Sequence, residues 1–112
     1  MKFNFEGKTF RVLRNDGPGA DVTLETRFHF RQQGSIVHAD YSGGRIKVGK
    51  LLGLLEGSTM RHHYIQINHG DEFHSGHSTD EIRLTPEGKI QLIDRWQWES
   101  KQGSGICILE EV

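Results

Sequence analysis

The sequence predicts an all-β fold, a small antiparallel up-and-down β-barrel of about eight or more strands, on three observations. Apolar and polar residues alternate with a period of two along most of the chain, as they do on half-buried strands. The 14 glycines among 112 residues are spaced between these runs instead of forming one tract. The runs also recur at roughly even intervals, and short strands joined by glycine turns close most readily into a barrel, which removes exposed edges. A chain of this length makes one domain, so residues 1–112 are read as a single β-barrel domain.

Taken in order, residues 9–15 form the first expected strand. Asp16-Gly17-Pro18-Gly19 then reads as a loop, because proline fixes φ and lacks a donor while the glycines remove helical tendency. Next comes the clearest alternation, with Val22, Leu24, Phe28 and Phe30 on one parity and Glu25, Arg27, His29 and Arg31 on the other. Residues 35–41 and 44–52 follow. Within 48–56 the leucines have a helical look, but Gly49, Gly53 and Gly57 would each cost a helix about 1 kcal/mol relative to alanine, so this stretch is read as a strand with a bulge or bend. Residues 60–68, 78–85, 89–99 and 104–111 complete the set. Gln33-Gly34, Gly43-Gly44, Glu87-Gly88 and Gly103 supply the positive-φ positions that tight hairpins demand.

Charge and composition exclude several functions. Fourteen Lys and Arg against 15 Asp and Glu leave no field to hold a polyanion, so no nucleic-acid partner is expected. No apolar run approaches the ~18 residues of a membrane span, and none resembles a signal peptide. The single Cys107 cannot pair within the chain, and a reducing cytoplasm is the expected location. With no phosphate-binding glycine loop, dinucleotide fingerprint or nucleophile elbow, no cofactor is expected.

Candidate site residues follow from parity. On the seventh strand Ile90, Leu92, Asp94, Trp96 and Trp98 share the face better suited to the interior. That face sets one carboxylate between apolar residues and two indoles, where it needs a charge or hydrogen-bond partner. One reading pairs Asp94 with an Arg or a tyrosine hydroxyl to lock the barrel; another has it touch a ligand. On the fifth strand Met60, His62, Tyr64 and Gln66 alternate with Arg61, His63, Ile65 and Ile67, and parity does not say which set faces inward. If the polar set does, Trp96, Trp98, Asp94, Tyr41, Tyr64, His62 and Phe28 together make an aromatic lining with a few convergent polar groups, the usual form of a small-molecule site. Asp94 and His62 are weak catalytic candidates. His69, His74 and His77, with His62 and His63 nearby, raise the question of metal, but His74-Ser75-Gly76-His77 falls in an expected loop without a second pair at diagnostic spacing, and no metal site is expected.

Tyr41-Ser42-Gly43-Gly44-Arg45-Ile46, Gly49-Lys50-Leu51-Leu52-Gly53-Leu54, Tyr64-Ile65-Gln66-Ile67-Asn68 and Trp96-Gln97-Trp98 resemble a group of small bacterial all-β, calycin-like proteins that commonly carry the label N-acetylglutamate synthase. The similarity extends over most of the chain, through Gly88-Lys89-Ile90, Gly105 and Glu110-Glu111. Acetyltransferases that make N-acetylglutamate look like mixed α/β proteins, with a glycine turn leading into a helix that holds the coenzyme A pyrophosphate. The nearest string here, Arg31-Gln32-Gln33-Gly34-Ser35-Ile36, lacks the final small residue and runs into the strand-like Val37-His38-Ala39. The residues therefore do not support that activity. Against the usual pattern of the group, Ile65 replaces a histidine and Asp94 replaces a glutamate.

Three functions are weighed. The first is a calycin-like or avidin-like barrel, by analogy of architecture, binding a small apolar or amphipathic ligand in its interior. The second is a filled barrel acting through its surface, for instance as a homodimer formed through an edge strand. The third is an enzyme using Asp94 with His62 or Tyr64 as an acid–base pair.

Overall fold

A computed structural model describes residues 3–112. Eight strands, β1 (Thr9–Asp16), β2 (Arg27–Gln33), β3 (Ile36–Gly43), β4 (Ile46–Glu56), β5 (Thr59–Asn68), β6 (Phe73–Leu84), β7 (Ile90–Trp98) and β8 (Ser104–Glu111), each pair with their sequence neighbour. Every pairing is antiparallel, and β8 returns to β1 to close the barrel, so no strand presents an open edge. The described residues contain no helix.

The expected strands are present, with two differences at their ends. The alternation at 22–26 does not continue the second strand, which starts at Arg27. There the Thr26 hydroxyl accepts from the Thr23 N–H at 3.0 Å and donates to the Gly43 carbonyl at 3.0 Å. These side-chain bonds give the backbone an alternative to the ladder, and Leu24 is left outside at 61% exposure. Conversely, β6 begins at Phe73, so His74 and His77 lie on a strand and not in the expected loop. Pairing from Ile67↔Phe73 to Thr59↔Glu81 zips this polar segment onto β5, a case of a tertiary partner outweighing weak intrinsic preference.

Residues 48–56, where a bulge or bend is expected, pair regularly with β5, and the register shift falls just ahead of them, between Ile46 and Val48. It switches parity, so Gly49, Leu51 and Gly53 turn inward while Leu52 and Leu54 face solvent. Gly49 leaves room for the Tyr41 ring to lie flat across β4; a Cβ there would meet that ring at 2.3 Å.

The two ends of the barrel differ. At the end where β1 begins, Phe5, Phe10 and Phe30 pack with ring centroids 5.0–5.6 Å apart. All three are essentially buried, above Met60 and Leu92 at 0% exposure. Each buried aromatic or aliphatic side chain contributes about 1.5–3 kcal/mol, and together they plug this end. The opposite end carries the loop from Gly17 to Thr26, the Gly43-Gly44 turn and the β7–β8 connection, and there the interior is lined by mixed aromatic and polar groups.

Candidate functional site

Asp94, Trp96 and Trp98 from β7, His62 and Tyr64 from β5, Tyr41 from β3 and Phe28 from β2 line one cavity of about 40 Å³ at the unplugged end. The question left open by parity is resolved on β5: Met60, His62 and Gln66 are buried, while Arg61, His63 and Ile65 are exposed. Tyr41 stacks on Phe28 at 4.6 Å, and Trp98 meets Trp96 and Tyr64 edge-on at 5.7 Å each. The Trp96 indole donates to Asn15 Oδ1 at 2.8 Å. By contrast, the buried Trp98 Nε1 has no acceptor within the protein.

Two polar networks are sunk into this lining. In the first, the Tyr41 hydroxyl donates to Gln66 Oε1 at 2.8 Å, and Gln66 Nε2 donates to Asp21 Oδ2 at 3.2 Å. Because Asp21 belongs to the loop between β1 and β2, this relay ties the loop to the barrel interior, helped by Asn15 Nδ2 donating to the Val22 carbonyl at 2.9 Å. Burial, reinforced by Tyr64, Asp94 and Asp21, pushes the Tyr41 phenol well above its ordinary range.

In the second network His62 Nε2 lies 3.1 Å from Asp80 Oδ1 and 3.7 Å from Asp94 Oδ1. The partner of Asp94 is therefore a histidine, and neither an arginine nor a tyrosine hydroxyl. Burial alone would lower the imidazole pKa, but the two carboxylates outweigh it and raise it to about 10. Burial and the neighbouring Asp94 drive Asp80 well above the usual carboxylate range. Burial also acts to raise Asp94, yet the adjacent His62 holds it below its ordinary value. The cluster titrates as a unit of imidazolium, carboxylate and carboxylic acid. Of the three, His62 and Asp94 line the cavity and Asp80 sits behind them. Chemically, such a set can exchange a proton or hold a cation.

Asp80, Ser78, Asp21 and Asn15 were not singled out by the sequence reading. For Asp80 and Ser78 a signal existed, since Ser78, Asp80 and Ile82 alternate in phase on β6 and all three are buried. For Asp21 none did, because loop docking leaves no periodic trace, and Asn15 lies on β1 beyond a register shift between Val12 and Arg14 that breaks the strand's parity. Among the histidines weighed as metal ligands, His62 joins the buried carboxylates and His63 lies near His77 and Glu99 on the outer face, while His69, His74 and His77 do not meet. His69 is exposed, His74 lies beside the Ser100 hydroxyl at 3.1 Å, and His77 is near Glu99 on the outer face. Cys107 also lines the cavity, and burial raises its thiol pKa far above normal, which leaves it a poor nucleophile.

No curated protein sequence and no solved structure matches the chain. A family model does, that of the avidin-like proteins, over residues 3–112. The match spans all eight strands, both the plugged and the open end, and with it the chain belongs to the avidin-like family.

Proposed function

We propose that the protein binds a small amphipathic molecule at the open end of the barrel. The observation that carries this reading is the aromatic cavity, whose lining includes Trp98, with its buried and unpartnered Nε1, together with Asp94 and His62. A buried N–H without an acceptor costs about 1–3 kcal/mol, and a ligand acceptor would recover that. The cavity of about 40 Å³ is far below the ~300 Å³ of an ordinary drug-sized pocket. It therefore suits a compact polar head, with the ligand's body lying outward against Ala20, Val22 and Trp98.

The test is native mass spectrometry of freshly purified protein, paired with tryptophan emission during titration with a panel of small ring-bearing acids, amides and cyclic ureas, biotin among them. A retained adduct, or saturable quenching that is lost in Trp96→Phe, supports the reading. A bare chain whose emission no panel member changes refutes it.

A second reading rests on the outer face of β3–β5, where Ile36, Leu52, Leu54 and Ile65 are 44–61% exposed. Contiguous exposed apolar side chains mark interaction surfaces, and a homodimer through this face is tested by light-scattering mass, with Leu52→Lys expected to yield monomer.

A further inference from the structure

We propose that His62, Asp80 and Asp94 form a site for one divalent transition-metal ion of the zinc class, set into the floor of the cavity. One ligand atom from each lies within 4.8 Å of the others. Around an ion with bonds of about 2.1 Å, a tetrahedral edge is about 3.4 Å. The observed separations from His62 Nε2, 3.1 Å to Asp80 Oδ1 and 3.7 Å to Asp94 Oδ1, bracket that edge. The strand ladder fixes the set: on neighbouring strands His62 stands opposite Ser78, and Asp80 opposite Asp94.

A second observation points to a cation. Asp80 Oδ2, Asp94 Oδ1 and Ser78 Oγ are sealed from solvent with no hydrogen-bond partner, on side chains whose residues are 1%, 9% and 2% exposed. Buried polar oxygens of this kind call for a donor or a cation, and no group among the described residues is placed to serve these three atoms. An ion would displace the imidazolium and carboxylic-acid protons, and the neutral imidazole with two carboxylates that remains carries −2, which one divalent ion cancels. One nitrogen and two oxygens suit zinc, cobalt, manganese or ferrous iron, whereas calcium takes six to eight oxygens and copper(I) prefers sulfur. Since His62 and Asp94 line the cavity, the remaining coordination position faces it, open to water or to a donor atom of a bound molecule. The metal site does not depend on the organic-ligand reading.

The experiment uses the full-length protein, stripped with a chelator and titrated with Co²⁺ while visible d–d absorption is followed. One equivalent with the intense bands of a four- or five-coordinate site, displaced by Zn²⁺, is expected. It persists in the surface variant His63→Gln/His77→Gln and weakens more than about tenfold in Asp80→Asn. No such band in the wild type, or a band lost in the surface variant, overturns the proposal. Should Asp80→Asn not fold, proton NMR of the Co²⁺ form decides: paramagnetic shifts centred on His62 and Trp96 support the site, and shifts confined to His63 and His77 overturn it. Because the Co²⁺ titration involves no organic ligand and is read by d–d absorption instead of tryptophan emission, failure of either reading is seen separately.

Discussion

Replacing Gln66 with leucine should release the loop at the mouth of the barrel. Gln66 is 2% exposed and bridges two buried groups, accepting from the Tyr41 hydroxyl at 2.8 Å and donating to Asp21 at 3.2 Å. Leucine has similar bulk and offers neither bond. Stranding a buried hydroxyl costs about 1–3 kcal/mol, and losing a donor to a carboxylate about 1.5–3 kcal/mol. Asp21 sits on a loop and can swing into water, which holds its share near the lower value, so the expected loss is about 2.5–4.5 kcal/mol. The assay is urea denaturation at unchanged m-value, with a Tyr41→Phe partner to complete a double-mutant cycle. Once the hydroxyl is gone, Gln66→Leu should cost about 1–2 kcal/mol less. Amide exchange in residues 17–26 should accelerate in the single variant. A loss below about 1 kcal/mol, or simple additivity with Tyr41→Phe, would refute the relay as the clasp of the loop.

Further outcomes are expected. Burial raises both tyrosines well above their ordinary pKa, so the neutral phenols stabilise the fold fully below about pH 10, and that contribution is lost as pH climbs toward the folded values. Absorbance at the tyrosinate band should therefore appear only together with alkaline unfolding; a titration complete near pH 10 in the folded protein contradicts it. The Cys107 thiol, 2% exposed and raised by burial, should react with a disulfide reagent on the order of 10³-fold more slowly than in urea, and rapid native labelling would show that the site opens locally. Gly49→Ala places a methyl 2.3 Å from the Tyr41 ring and should destabilise by about 1–3 kcal/mol, with a near-ultraviolet circular dichroism change as Tyr41 leaves Phe28. An unchanged spectrum and midpoint would mean the ring does not lie across β4.

Local chemistry made most of the barrel legible. Alternation along 104–111 and 89–99 marks β8 and β7 to within a residue or two at either end, because one face of each strand is wet and the other dry. Gly34 and Gly88 adopt the left-handed φ values their hairpins require. The same parity put Asp94, Trp96 and Trp98 on one inward face. It stopped at questions that a period of two does not encode. Residues 22–26 alternate as well as any strand, yet Thr26 commits them to a turn through bonds to Thr23 and Gly43. On β5 only the closed ladder tells the face of His62 from that of His63. Above all, the meeting of His62 with Asp80 and Asp94 follows from the register of three strands, in which a slip of one residue would send each side chain to the opposite face. The sequence by itself determined the all-β class, a strand count of about eight or more and the alternation along most of the strands. Tertiary structure decided which polar groups share the dry interior, because contact between residues 18 and 14 positions apart is set by pairing across strands and not by spacing along the chain.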